Sequence, residues 1–230
     1  MARSGDDVNA VIFDLDGTLI ESEQIWRDVR HAFVVEHGGR WVDGAQERMI
    51  GMRTSEWAQY MHDDLHVSLP PAAIGEQVVN AVASVLAKHV PVLPGADGAL
   101  ARLNAAFPLG LATAAARPVA EMALAKTGWS KHFQIVVSAD DVSRGKPAPD
   151  VYLRALELMG ADAQHTAAIE DSTNGIRSAY AAGLAVIAVP NRAFPPDPQA
   201  LSLATRVLGS IRELDTPTVE AALQARPWGC

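Results

Sequence analysis

The strongest constraint on the fold is a repeating unit: a short apolar run that stops abruptly at a polar residue. Residues 10–13 stop at Asp14, residues 109–112 at Thr113, and residues 166–169 at Glu170 and Asp171. Residues 134–137 lead into Ser138, Ala139 and Asp140, and residues 184–189 end at Pro190. These runs are rich in Val and Ile and apolar at consecutive positions, the pattern of parallel strands covered on both faces. Helical stretches lie between them: 118–126 closing at Gly128, 150–159 closing at Gly160, and 175–182 closing at Gly183. Glycine just past a helical stretch is a helix stop. The alternation predicts an α/β fold with a doubly wound, Rossmann-like parallel sheet. In such sheets ligands sit at the carboxyl ends of the strands.

The first run is not followed by a short crossover. Residues from about 20 to 92 read as helices, without strand runs. The stretch 21–36 places Ile25, Val29, Ala32 and Phe33 on one face, with Gly38 as its stop. Two more helices are expected at 55–65 and 72–89, and Pro94-Gly95 marks the return to the α/β pattern. The expected organisation is an α/β core of residues 1–19 and 93–230, with a helical cap domain of residues 20–92 hinged near Glu21 and 91–94.

Bulk composition narrows the partners. The formal charge of −8 argues against nucleic acid and anionic membranes. A phosphorylated small molecule remains compatible, because a local site can be positive within an acidic chain. Cys230 is the single cysteine, so neither an internal disulfide nor a cysteine metal cluster can form. No run approaches membrane-spanning length, and Met1 to Asn9 lack the apolar stretch of a signal peptide. A cytoplasmic monomer is therefore expected.

The chemistry concentrates in four segments. In Phe13-Asp14-Leu15-Asp16-Gly17-Thr18-Leu19, two carboxylates two apart on an extended segment would leave the same side, roughly 7 Å apart. Gly17 allows the chain to turn and approach a ligand closely. Thr113 is either a helix N-cap or, with the following N–H groups, a phosphate-holding hydroxyl. In Gly145-Lys146-Pro147-Ala148-Pro149-Asp150 the prolines restrict the backbone around the lysine, and Asp150 reads most simply as an N-cap. In Glu170-Asp171-Ser172-Thr173-Asn174-Gly175, adjacent carboxylates after a buried strand repel each other. A cation between them and the first acidic pair would relieve that repulsion, while capping by Asp171 or Ser172 accounts for one residue of the pair. Oxygen-only ligands suit Mg²⁺. The histidines, including His31, His37, His62 and His66, are scattered and read as surface or cap residues.

These four segments resemble, in order and in placement at candidate strand ends, the four motifs of the haloacid dehalogenase superfamily. Asp14-Leu15-Asp16-Gly17-Thr18 resembles the first, Thr113 the second, Lys146 in its Gly-Lys-Pro-Ala-Pro-Asp context the third, and Glu170-Asp171-Ser172 with Asn174-Gly175 the fourth. The helical insertion resembles the cap placed after the first motif. Glu21-Ser22-Glu23 followed by Trp26 resembles sugar-phosphate and hexitol-phosphate phosphatases. The resemblance implies a Mg²⁺-dependent phosphomonoester hydrolase in which Asp14 attacks phosphorus to give an aspartyl-phosphate. It further implies Asp16 as general acid and base with its carbonyl on the metal, and Lys146 offsetting charge. Asp171 would complete the metal ligands, with Glu170 contributing directly or through water. Thr113 and the Ala114 N–H would hold phosphoryl oxygens.

Among members of such a superfamily, Asp16 disfavours a dehalogenase, and Lys88, the single lysine of the cap region, sits in no imine-like setting. A β-phosphoglucomutase is the principal alternative. The cap loop Gly51-Met52-Arg53-Thr54 puts Thr54 where a mutase has arginine, and Ala114-Ala115-Ala116 follow Thr113 where a mutase presents serine and lysine. This favours hydrolysis of a sugar or polyol phosphate. Glu21, Trp26, Arg53, Glu56 and Trp57 are candidates to touch the leaving group, and Arg53 and Arg117 to grip a substrate anion. A receiver-like or non-catalytic phosphate-binding protein is a further alternative, opposed by the helical insertion and by the presence of both Asp14 and Asp16.

Overall fold

The computed structural model describes residues 10–225. Residues 1–9 and Cys230, on which the expectations about a leader and the thiol rest, lie outside them. The apolar runs form β1 (Ala10–Phe13), β2 (Leu109–Ala112), β3 (Phe133–Val137), β4 (Thr166–Glu170) and β5 (Ala185–Ala188). A two-residue edge strand absent from the sequence reading, β6 (Arg206–Val207), adds to β5. Among the described residues the sheet has six strands in the order β3-β2-β1-β4-β5-β6, every pair parallel. Within β1, Val11 and Phe13 enter the apolar cluster on one face and Ile12 the cluster on the other. Burial on both faces explains why the runs do not alternate with polar residues.

The order fixes where a site can form. From β1 the chain proceeds to β2 on one side, and β4 pairs with β1 on the other, so the crevice opens at the carboxyl ends of β1 and β4. Phe13 is in register with Leu111 and with Ile169, which brings Asp14 level with Ala112 and Glu170.

Between β1 and β2 lie α1 (Glu23–Glu36), α2 (Ala45–Met49), α3 (Thr54–Asp63) and α4 (Pro71–Leu86). They share an apolar cluster of their own, which also takes in Ala115, Ala116 and Val119 from the segment after β2. Ala115 and Ala116 are thus part of the surface on which the insertion sits. The buried face of α1 is rotated from the expected one. Glu23, Trp26, Arg30, Phe33 and Val34 are buried, Ala32 is exposed and Ile25 and Val29 are half-buried. The insertion's two connections lie side by side: Leu93 N–H donates to the Leu19 carbonyl at 2.9 Å, and Glu21 N–H to the Pro91 carbonyl at 2.8 Å.

The remaining helices, α5 (Ala96–Asn104), α6 (Arg117–Thr127), α7 (Asp150–Met159), α8 (Thr173–Ala181), α9 (Pro198–Leu201) and α10 (Thr216–Gln224), flank the sheet. In α7 the buried stripe is Val151, Tyr152, Ala155 and Leu156, a 3.6-residue period. Leu153 and Leu158 fall off it and are 48% and 46% exposed. Asp150 is the first residue of α7 rather than its N-cap, which is Pro149; its carboxylate pairs with Arg144 at 2.8 Å. Among the described residues no helix is long and apolar enough to cross a membrane.

Placement of these side chains separates two leucine-sized truncations. Ile12→Ala should destabilise the protein by about 2–5 kcal/mol through lost burial and a residual cavity. Leu153→Ala should stay within about 0.5 kcal/mol of wild type. Urea unfolding of the two variants checks both values.

Candidate active site

Lys146 organises the crevice. Its ammonium donates to Asp14 Oδ1 at 2.6 Å, to Glu170 Oε1 at 2.7 Å and to the Ala112 carbonyl at 3.1 Å. Strands β1, β2 and β4 therefore each end on one of its three N–H groups. It is 2% exposed, and Tyr152 of α7 closes the site below, its ring 5.0 Å from Nζ and its hydroxyl donating to Glu170 Oε1 at 2.6 Å. Burial alone would lower the lysine; the carboxylates of Asp14 and Glu170 outweigh it and hold the ammonium above its ordinary value.

Three buried carboxylates face this single ammonium. Oxygens of Asp14, Glu170 and Asp171 lie within 4.8 Å of one another. Burial pushes the Asp14 carboxyl well up, opposed by Lys146 and reinforced by Glu170 and Asp16. Asp171 is likewise raised, by burial and by the Asp14 and Glu170 carboxylates. Excess buried negative charge is costly unless paired, and an all-oxygen donor set of this kind fits a hard divalent cation. Glu170 is the least available of the three. Besides Lys146 and Tyr152 it accepts from the Asp171 N–H at 3.2 Å and from Ser172 Oγ at 3.4 Å, which fills the roughly four acceptor positions of a carboxylate. Gly17 keeps the space open: at its φ of 80°, a Cβ would lie 2.0 Å from Asp171 Oδ2.

Asp16 lies beyond the end of β1, where it bridges to Ile20 across the turn at residues 17–19, and it lines the same cavity as Asp14. Its carboxylate accepts from Ser22 Oγ and, at 3.3 Å, from Trp26 Nε1. Burial raises its pKa, while those two hydrogen bonds pull it down. Thr113 is buried, and its hydroxyl accepts from the Ala115 N–H at 3.0 Å rather than capping α6, whose N-cap is Ala116. Ser172, not Asp171, caps α8 by accepting from the Gly175 N–H at 3.1 Å.

Above the carboxylates, a cavity of about 30 Å³ remains between the sheet and the insertion, lined by Asp14, Asp16, Ala114 and Lys146 from below and by Glu23, Trp26, Arg30 and Trp57 from above. Both tryptophans contribute edges to it while packing edge-to-face at 6.2 Å. Arg30 and Gln46 were not singled out in the sequence, and Glu23 only as part of the Glu21-Ser22-Glu23 stretch. The signal was present, because Glu23, Trp26, Arg30 and Phe33 follow helical spacing on the face that α1 buries.

Other expected contacts fall outside this cavity. Arg53 donates to the carbonyls of Val142 and Ser143 at 2.9 and 2.5 Å. Glu56 accepts from the Gly145 N–H at 3.2 Å. Together they tie α3 to the lysine loop. Arg117 is ion-paired with Asp141 and with Glu121, so its guanidinium is engaged at the α6–β3 edge. Glu21 accepts from Asn191 Nδ2 at 3.3 Å. Lys88 is exposed beyond the end of α4.

A family model described as haloacid dehalogenase-like hydrolase matches residues 11–189. The chain is 28% identical over 208 residues to the bifunctional riboflavin kinase/FMN phosphatase of Arabidopsis thaliana, covering 90% of this chain but spanning only 54% of that protein. It is 31% identical over 179 residues to the fructose-1-phosphate phosphatase YqaB of Escherichia coli, covering 78% of this chain and 95% of that one. The crystal structure of CbbY from Rhodobacter sphaeroides in complex with phosphate superposes with a TM-score of 0.80 at 26% identity, covering 93% of this chain and 99% of the other.

Glu23 generates a pH dependence of known sign. Burial first, then the Asp16 carboxylate, raises its pKa from 4.5 to about 7, with Arg30 and the Gln46 hydrogen bond opposing. Between those values the folded protein keeps a proton that the unfolded chain has released, so stability falls as pH rises, by at most ~1.4 kcal/mol per pH unit. Glu23→Gln removes this component. In metal-free buffer its stability relative to wild type should increase across that window and level off above it, as read by urea unfolding at a series of pH values.

Proposed function

The chain belongs to the haloacid dehalogenase-like hydrolases and is a phosphatase, and from that premise we propose that it hydrolyses a small phosphorylated sugar or polyol through an aspartyl-phosphate on Asp14. The observation that carries this reading is the Asp14 carboxylate at the end of β1, fixed at 2.6 Å by a lysine that is itself saturated with hydrogen bonds. A carboxylate so held is oriented for in-line attack and has little freedom to lose on reaching the transition state.

In this reading Asp14 Oδ attacks phosphorus, the ester P–O bond breaks, and the phosphoryl group passes to Asp14. Asp16 gives its proton to the leaving oxygen and then takes one from the water that cleaves the acyl-phosphate. Its raised pKa and its hydrogen bonds from Ser22 and Trp26 favour a carboxyl that is protonated when needed and held in one place. Thr113 and the Ala114 N–H bind phosphoryl oxygens. Lys146 offsets the charge developing on phosphorus.

Asp14 and Asp171, with the backbone carbonyl of Asp16, would hold Mg²⁺, while Glu170 acts through Lys146 or a metal-bound water. When bound, the cation screens the nucleophile from the phosphate it attacks. The helical insertion serves as the cap in this scheme, and residues 19–21 and 91–93 as its hinge. In this reading the cap swings open to admit substrate and closes over it.

The test is phosphate release from a panel of sugar, polyol and nucleotide monophosphates and β-glucose 1-phosphate, with and without Mg²⁺. Wild type should release phosphate only with the cation. Asp14→Asn should lose at least about three orders of magnitude in rate. Isomerisation of β-glucose 1-phosphate without phosphate release would instead identify a mutase.

A further inference from the structure

Arg30 is the most unusual cation in the fold. It is 4% exposed and lines the cavity opposite Asp14. Its guanidinium carbon stands 4.7 Å from the Trp26 ring centroid and 4.8 Å from that of Trp57. Aromatic contact with the cation leaves hydrogen bonding to the N–H groups at its edge. Those are under-used: Nη1 donates to Gln46 Oε1 at 3.3 Å, and among the described residues Nε has no partner. A buried guanidinium that leaves a donor unpaired is costly to maintain for packing alone.

Acceptors sit beside it. Glu23 is 6% exposed and takes a hydrogen bond from Gln46 Nε2 at 3.0 Å, so the Gln46 amide bridges Arg30 and Glu23 without a direct contact between them. Trp26 connects this group to Asp16 through its indole N–H. The cavity roof thus brings a guanidinium and a carboxyl group together, close to the residue proposed to protonate the leaving oxygen. The two arginines that could have held a second anion, Arg53 and Arg117, are bonded to core carbonyls and carboxylates instead.

We infer that Arg30 and Glu23, spaced by Gln46, are the specificity-determining residues for the leaving group, and that they select a hydroxylated but otherwise uncharged alcohol. A hydroxyl can accept from Arg30 and donate to Glu23 together. An ionised second phosphate or carboxylate could satisfy Arg30 but has no hydrogen to donate to Glu23. This inference rests on the phosphatase reading and adds to it the chemistry of the alcohol.

The experiment compares kcat and KM of wild type, Arg30→Lys and Glu23→Gln on four esters: a hexitol monophosphate, a ketose bisphosphate, a phosphorylated carboxylic acid, and p-nitrophenyl phosphate, which has no hydroxyls to read. Wild type should prefer the hexitol ester to the two more highly charged metabolites. Arg30→Lys retains the charge but not the planar fork. It should lower kcat/KM for the hexitol ester at least tenfold more than for p-nitrophenyl phosphate, chiefly through KM. Glu23→Gln should move selectivity toward the charged esters, and it carries the test if the lysine variant does not fold. Equal losses on the hexitol and p-nitrophenyl esters would reduce Arg30 to a packing residue and overturn the inference, as would a wild-type preference for the bisphosphate or the acid. A wild-type protein inactive on all four, including p-nitrophenyl phosphate, would instead overturn the phosphatase reading beneath it.

Discussion

One ammonium group joins three strands. Lys146 arrives from a loop after β3, yet its N–H groups end on β1, β2 and β4. That arrangement is possible only because the register brings Asp14, Ala112 and Glu170 level at the carboxyl edge of the sheet. It is also obligatory in the other direction. Without the lysine, Asp14, Glu170 and Asp171 would be three buried carboxylates with no cation from the chain among them, and buried charge lacking a partner destabilises by several kcal/mol, about 3–5 when one partner is removed. The sheet positions the lysine, and the lysine makes the carboxylates tolerable. Tyr152, rising from α7, completes the support by bonding the same Glu170 oxygen.

From this arrangement follows a division between the two layers of the molecule. In the proposed function the edge of the sheet handles phosphorus, a charge-dense and invariant target, and the helices inserted after β1 meet whatever is esterified to it. The seam between them is close-packed and depends on small residues. Ala115 and Ala116 are buried against the insertion, and at Gly145 a Cβ would lie 2.5 Å from Glu56 Oε2 and 2.7 Å from the Arg53 nitrogen. Ala115 and Ala116 are therefore a packing surface, and their lack of polar side chains follows from the contact they make.

How much of this was legible in the sequence depends on whether a residue's surroundings come from its own element. The strands were readable because a doubly covered strand needs consecutive apolar residues, and the polar residue ending each run marks where it emerges from the core. The doubly wound fold followed from their alternation with helices. The face of α1 was misread because apolarity was used to find it, whereas Glu23 and Arg30 are buried alongside Trp26 and Phe33. Each is balanced by a group distant in sequence: Arg30 by Trp57 and Gln46, Glu23 by Gln46. Arg53 and Arg117 were unreadable for the same reason, since their partners, Glu121 aside, lie outside their own helices. The edge strand β6, with two exposed residues, carries too little pattern to be seen.

The paired connections of the helical insertion bear on how such a chain can change over time. Leu19 to Glu21 and Pro91 to Leu93 run alongside each other and are hydrogen-bonded together, so the insertion leaves and re-enters the core at one point. The ends the core must hold are the same whatever lies between them, and lengthening a segment whose ends are already joined adds only about 0.6 kcal/mol of closure entropy per doubling. The length of the insertion can accordingly change without altering the register of β1 against β2 and β4, provided the seam at Ala115, Ala116 and Gly145 still fits. A lineage built this way can remodel the layer over the sheet by changing one continuous stretch of its gene, while the strands beneath keep their pairing.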